Sequence, residues 1–340
     1  MYTEYFQLTQ RPFSRVPSVT GCVMFPGIKS SYDRCCEGID EAAGPVLIVA
    51  PSGCGKSTLL ALVEHRYREQ LTTVTLNCAA ITSRHELIQC LLFELALPFE
   101  SSNVGDLRLK LIDHLKSTEH CPDGLLLLVD EGHNLSAEVL EELRMITNLV
   151  CGGRHQIRLV LAGCRPLEEK LAWPQLESFN QRISVRCYLQ PMSRNETLFY
   201  ALAQIQMCGR DGREIFQPSA LDKLYDISDG VPRLAAQLCD HSLKTACKQG
   251  QLTIDGPLVQ KAWLDLQQLP EPAEFGDLDS ASNDSDSSVV EFGSLDDSAA
   301  FADTQLSDNV DSLDAGSTED SYDIGPMQPA INVTDDSEPE

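Results

Sequence analysis

The sequence predicts an α/β fold: a parallel sheet between two helical layers, then a small all-helical region, then an acidic tail. Three observations predict it. Apolar runs at 45–50, 71–77, 124–130, 156–163 and 183–189 alternate with helical patterns at 56–70, 83–97, 104–117, 136–150 and 166–180. The runs are continuous, as in Leu125-Leu126-Leu127-Leu128-Val129, which suits strands covered by helices on both faces. From about residue 192 the strand signals fade, and helical patterns at 193–208, 218–227, 231–248 and 257–268 take over. Such alternation argues for a three-layer parallel arrangement.

The expected organisation has four parts. Residues 1–44 read as an N-terminal approach segment anchored by Tyr5-Phe6, Pro12-Phe13 and Phe25-Pro26, followed by the α/β core at 45–190 and the helical part at 191–269. Residues 270–340 hold 20 of the 51 acidic residues and none of the 26 Lys and Arg. That composition buries too little apolar surface to offset chain entropy, so a disordered tail is expected. The tail repeats a motif, Glu274-Phe275-Gly276-Asp277-Leu278-Asp279-Ser280 and Glu291-Phe292-Gly293-Ser294-Leu295-Asp296-Asp297-Ser298, which reads as solvating chain or as a pair of docking motifs. Of the net charge of −25, the tail carries −20 and the body −5. The body has no Lys/Arg cluster of the kind that neutralises phosphates, so nucleic acid is not an expected partner.

The 13 cysteines are dispersed and form no Cys-x-x-Cys pair, which suggests reduced thiols in a cytoplasmic protein. Cys78, Cys90, Cys187 and Cys239 read as small core residues. No apolar run approaches the roughly 20 residues of a membrane helix. Met1 to Gln10 is polar and aromatic, unlike a secretion signal.

The chemistry starts at Ala50-Pro51-Ser52-Gly53-Cys54-Gly55-Lys56-Ser57-Thr58. The run Val46-Leu47-Ile48-Val49 leads into this segment, and a helical pattern follows it. Small residues let backbone N–H groups close around phosphate oxygens; Lys56 adds positive charge, and Ser57 offers a hydroxyl to Mg²⁺. The segment is therefore a P-loop, with Pro51 to Thr58 as nucleotide-binding candidates. A second signal, Leu126-Leu127-Leu128-Val129-Asp130-Glu131, is a buried strand ending in two carboxylates. Asp130 is a candidate for the Mg²⁺ shell beside Ser57, and Glu131 for the general base that activates water. The two signals make sense together only if they meet at one edge of the sheet. Asn77, ending the second run, is a candidate switch that holds Glu131 from water, or a strand-end turn residue. His133 reads as a local hydrogen-bonding residue.

Taken in order, several motifs resemble AAA+ ATPases of the ExeA/GspA type, which are associated with general secretion and pilus biogenesis. They are Tyr5-Phe6-x-Leu8 with Pro12-Phe13, the P-loop, Asp130-Glu131-Gly132-His133-Asn134-Leu135, Glu138 to Arg144, Gln181-Arg182-Ile183, and Gly230-Val231-Pro232-Arg233-Leu234. The resemblance covers roughly residues 1–268 and implies an AAA+ core with a helical lid, using ATP and Mg²⁺. It implies a homo-oligomer in which Arg182 resembles an arginine finger reaching a neighbour's γ-phosphate, with Arg186 and Arg194 as rivals. Arg233 resembles a sensor 2 residue that touches the phosphates from the lid. Where relatives place a polar Gln after the fourth strand, this chain has Cys164, or Arg165 if the alignment slips. A thiol is a poor donor to phosphate or water, so slow hydrolysis, or substitution by Arg165, is implied. Cys54 reads as a tolerated small residue or as an oxidation-sensitive one. Secretion-type relatives often continue into a membrane helix; here the acidic tail follows, a candidate site for a protein partner. The implied function is ATP-driven remodelling or assembly of a partner complex. The alternatives are a slow nucleotide-gated switch and a transposition-type DNA-associated regulator.

Overall fold

Each apolar run becomes a strand because its residues have two covered faces to fill. In the computed structural model, β1 (Val46–Val49), β2 (Thr72–Asn77) and β3 (Leu125–Asp130) are followed by a small hairpin of β4 (Val150–Cys151) and β5 (Arg154–His155), then by β6 (Ile157–Gly163) and β7 (Val185–Tyr188). The structure describes residues 1–13, 19, 21–77, 81–101, 103–117, 121 and 123–267, which fall in one compact unit. Cys78 and the acidic tail with its repeated motif lie outside them.

The five main strands are all parallel, in the order β2-β3-β6-β1-β7. Strand β6 therefore separates β1 from β3, and the C-terminal ends of all three share one edge. Side chains alternate as the pleat requires. Val46 and Ile48 of β1, Leu126 and Leu128 of β3, and Val160 and Ala162 of β6 enter one core cluster. Leu47, Val49, Leu125, Leu127, Val129, Leu159 and Leu161 enter the other.

The helices in chain order are α1 (Tyr2–Tyr5), α2 (Pro26–Glu41), α3 (Lys56–Tyr67), α4 (Arg84–Glu94), α5 (Val104–Lys116), α6 (Ala137–Thr147), α7 (Arg165–Leu171), α8 (Glu177–Asn180), α9 (Arg194–Gln206), α10 (Pro218–Ser228), α11 (Pro232–Gln249) and α12 (Gly256–Gln267). Helices α2 and α3 cover the first sheet face, and α4 to α8 contribute to the second. The long helical pattern at 166–180 is broken: α7 ends at Leu171, and Pro174 opens a 3₁₀ turn before α8.

The approach segment contains more structure than its anchors suggested. Pro26 starts α2 at a position where its missing N–H costs nothing, and Ala42 ends it in the left-handed region at φ 49°. Its buried residues are Ser31, Cys35, Cys36, Gly38 and Ile39. A Cβ on Gly38 would stand 2.8 Å from Val185 Cγ2 and 2.9 Å from Val46 Cγ2, so the helix reaches the sheet only through a residue without a side chain.

Helices α9 to α12 form a third core with Phe6, Leu8, Phe13 and Phe25, so the aromatic anchors pack on the helical region rather than on the sheet. Asp240 on α11 is 4% exposed and fastens this union. It accepts hydrogen bonds from Tyr2 Oη at 2.7 Å, Arg11 Nε at 2.9 Å and Lys244 Nζ at 2.7 Å. On the second sheet face, fully buried Glu142 of α6 accepts from Arg108 Nε of α5 at 2.8 Å. Cys187 and Cys239 are buried, and Cys90 packs beside the core; all twelve cysteines among the described residues are free thiols. No helix among those residues is long and apolar enough to cross a membrane.

Candidate nucleotide site

The loop between β1 and α3 turns through two glycines at positive φ, Gly53 at 83° and Gly55 at 92°. Gly55 is the N-cap of α3, and no side chain caps that end. The first-turn amides are thus left for an anion, with the helix dipole behind them. Lys56 is 5% exposed, and its Nζ donates to the carbonyls of Ala50 and Pro51, each at 3.2 Å, and to Cys164 Sγ at 3.3 Å.

Ser57 Oγ donates to Asp130 Oδ2 at 2.5 Å, so the β1–α3 loop and the end of β3 meet across the end of β6. The other oxygen, Asp130 Oδ1, accepts from Glu131 N–H at 2.8 Å. A hydroxyl and a carboxylate touching at one point form a hard-oxygen donor pair, which fits Mg²⁺. Glu131 sits in the left-handed region at φ 54°, an uncommon conformation for a non-glycine residue. Its carboxylate lies 3.4 Å from His133 Nε2.

A cavity of about 520 Å³ joins these parts. Its walls include Ser52 to Thr58 in part, Glu131, and Arg233 of α11, and it continues to Gln10, Arg11, Cys22 and Val23 and to Tyr200 and Gln204 of α9. Arg233 N–H donates to the Gly53 carbonyl at 3.2 Å, docking the N-terminus of α11 on the loop. A Cβ on Gly53 would meet Val231 Cγ1 at 2.9 Å and Arg233 Cβ at 3.2 Å, so this glycine is needed for docking as well as for its φ.

The remaining candidates divide. Cys164, at the end of β6, faces Lys56. Arg165 does not: it is 86% exposed and pairs with Glu169 at 3.3 Å, so it cannot replace a polar sensor there. Asn77 is exposed and in register with Asp130. Burial pushes the Cys54 thiol up, with Lys56 pulling against it, which suits an inert small residue. Arg182 is exposed just before β7, beside Gly44, Pro45 and Ile157 at the opposite edge of the sheet. Its rivals are engaged within the chain: Arg186 Nη2 donates to Asn180 Oδ1 at 2.6 Å, and Arg194 Nη2 to Asp222 Oδ1 at 2.7 Å.

Two features were not read from the sequence. Lys170 of α7 donates to the carbonyls of His133 at 2.9 Å and Leu135 at 2.5 Å, pinning the turn after β3. The N-terminal segment and α9 supply a large part of the cavity wall, although neither carries a motif that announces it.

Comparison with known proteins agrees with this geometry. Residues 39–171 match the AAA domain family. The fold is that of the AAA+ class, built around a P-loop. The chain is similar to general secretion pathway protein A of Aeromonas hydrophila, at 30% identity over 251 residues, covering 74% of this chain and 46% of that protein. The chain thus spans about half of that relative's length. It is also 24% identical over 302 residues to an uncharacterized HTH-type transcriptional regulator of Methanocaldococcus jannaschii, covering 75% of this chain and 72% of that one. Among solved structures, Cdc6p from Pyrobaculum aerophilum superposes with a TM-score of 0.64 at 18% identity, covering 75% and 70% of the two chains. The Aeropyrum pernix ORC1 protein in complex with DNA gives 0.61 at 15%, covering 76% and 70%. These structural likenesses are of fold.

Proposed function

We propose that the chain binds Mg-ATP in the cavity around Lys56 and hydrolyses it, using the cycle to remodel or assemble a partner complex in the manner of secretion and pilus ATPases. The observation that carries this reading is the 2.5 Å contact between Ser57 and Asp130, flanked by Lys56 and Glu131. The triphosphate lies along the α3 amides, with Lys56 leaving its loop carbonyls for the phosphate oxygens. Ser57 and Asp130 would hold Mg²⁺, which would supply charge neutralisation for the phosphates. Glu131 takes the proton from the water that attacks the γ-phosphorus; the bond to the β-phosphate oxygen breaks, and ADP and phosphate leave. Arg233 transmits nucleotide state to the helical lid through its seat on Gly53. Arg182 is too far from its own loop to act in cis, which supports a homo-oligomer in which it completes a neighbour's site.

The test is steady-state phosphate release. Glu131→Gln is expected to keep ATP binding and lose turnover by on the order of 100-fold or more. Equal turnover in the two proteins removes Glu131 from the role.

A second reading, a slow nucleotide-gated switch, is favoured by Cys164 standing against Lys56 where a strong polar donor is expected. Single-turnover kinetics separates the two, since a switch retains ATP for many minutes even when assembled. The description of the archaeal relative as a transcriptional regulator makes DNA association a third reading. Salt-dependent DNA binding by the full chain is its test.

A further inference from the structure

Beside the oxygen-lined pair at Ser57 and Asp130, the same sheet edge carries donors of another kind. A carboxylate oxygen of Glu131, a ring nitrogen of His133 and Cys164 Sγ all lie within 4.8 Å of one another. The triad comes from two strands: Glu131 and His133 follow β3, and Cys164 follows β6, its neighbour in the sheet. Each lies just past the end of its strand, so the pairing of β3 with β6 brings their following turns together.

We propose that Glu131, His133 and Cys164 form a binding site for Zn²⁺ or a cation of similar softness, and that its occupation blocks hydrolysis. Thiolate, imidazole and carboxylate together select such an ion, whereas Mg²⁺ takes oxygen alone. The 3.4 Å between His133 Nε2 and Glu131 Oε2 equals the ligand–ligand spacing of a tetrahedral zinc site, in which metal–ligand bonds run about 2.0–2.3 Å. With all three ligand atoms within 4.8 Å of one another, at most about 1 Å is left for side-chain rotation to close. His133 Nε2 faces Glu131 at 3.4 Å, and its Nδ1 is buried without a hydrogen-bond partner among the described residues, so no hydrogen bond fixes the Nδ1 side of the ring. All three residues are partly exposed and Glu131 lines the nucleotide cavity, which gives the ion a route in. Three protein ligands leave a fourth position for water or a phosphate oxygen.

The inhibitory consequence rests on the proposed hydrolysis; the binding does not. A metal on Glu131 removes the carboxylate that accepts the proton from water. A metal on Cys164 takes the sulfur from Lys56, which donates to it at 3.3 Å. Both effects strike the catalytic end of the cavity.

The binding test uses the full, nucleotide-free chain titrated with Co²⁺, which replaces zinc and shows a thiolate-to-metal charge-transfer band in the near ultraviolet. Wild type is expected to develop the band at one equivalent. Cys164→Ser is expected to lose it, and His133→Ala to weaken binding at least about tenfold. Cys151→Ser and Cys247→Ser, which alter partly exposed thiols elsewhere, keep it. Absence of the band in wild type, or its survival in Cys164→Ser, overturns the site. The functional test follows phosphate release against Zn²⁺, each protein referred to its own metal-free rate. One equivalent is expected to inhibit wild type by at least half, with Cys164→Ser needing about ten times more. Equal sensitivity overturns the inhibitory role. A cobalt band in a chain without ATPase activity leaves the metal site standing and removes hydrolysis instead.

Discussion

Glu131 and Gly53 share a property: each holds a backbone conformation at positive φ, at 54° and 83°, on either side of the cavity. For Gly53 the consequence is testable. Gly53→Ala places a methyl 2.9 Å from Val231 Cγ1 in a region that disfavours Cβ. It is expected to unseat α11 and weaken ATP binding at least about tenfold, at a stability cost of about 1–3 kcal/mol. Isothermal titration and thermal melts report the two effects separately. Cys164 offers the opposite kind of change. Cys164→Gln restores a strong donor beside Lys56 and is expected to raise turnover severalfold; unchanged turnover means the thiol is not limiting. The P-loop and the Asp130-Glu131 pair were legible in the sequence because each is a contiguous motif in a fixed strand context. The choice between Cys164 and Arg165 was not, because one residue of alignment slip reverses which side chain faces inward. Backbone geometry at the end of β6 decides it.

Among the elements, α11 links the most parts. Its N-terminus holds Arg233 on the loop, and its middle holds Asp240 among Tyr2, Arg11 and Lys244. Burial opposes the charged form of Asp240, but the hydrogen bonds from Arg11, Lys244 and Tyr2 outweigh it, and the carboxyl sits below the ordinary aspartate value of 3.8. The sign follows from linkage. A depressed folded value gives stability that is fully present above 3.8 and is lost as pH falls through that lower value. Asp240→Asn is expected to cost about 1–3 kcal/mol at neutral pH, less than a fully enclosed pair, because Arg11 and Lys244 are partly exposed and rehydrate. The gap between variant and wild type should close in acid, and melts at pH 7 and pH 3 measure it. The strands were readable because leucine-rich runs covered on both faces look alike in any order. Their order was not readable: nothing local states that β6 inserts between β1 and β3. Helix α2 escaped because its buried face is built from serine, cysteine, glycine and isoleucine, so the helix is amphipathic but low in overall hydrophobicity. The hairpin after α6 was signalled only by Gly152-Gly153, in the gap between the helix read to residue 150 and the strand read from 156.

For the whole molecule, the P-loop and Arg182 stand at opposite edges of the sheet. The loop, Asp130 and Glu131 occupy the C-terminal edge, and Arg182 stands at the other. If Arg182 completes a neighbour's site, Arg182→Ala binds ATP without hydrolysing it, as Glu131→Gln does. Mixing these two inactive proteins is expected to restore part of the activity, because a Glu131→Gln subunit lends its arginine to a neighbour with an intact base. Mixtures as inactive as their components exclude action between subunits.

The account rests on Lys56, Ser57, Asp130 and Glu131 serving a single Mg-ATP. The most direct measurement is calorimetric titration of Mg-ATP into the full chain, alongside Lys56→Ala and Glu131→Gln. One site per chain is expected in wild type and Glu131→Gln, with affinity reduced at least about tenfold in Lys56→Ala. No heat of binding in folded wild-type protein, or undiminished affinity in Lys56→Ala, contradicts it.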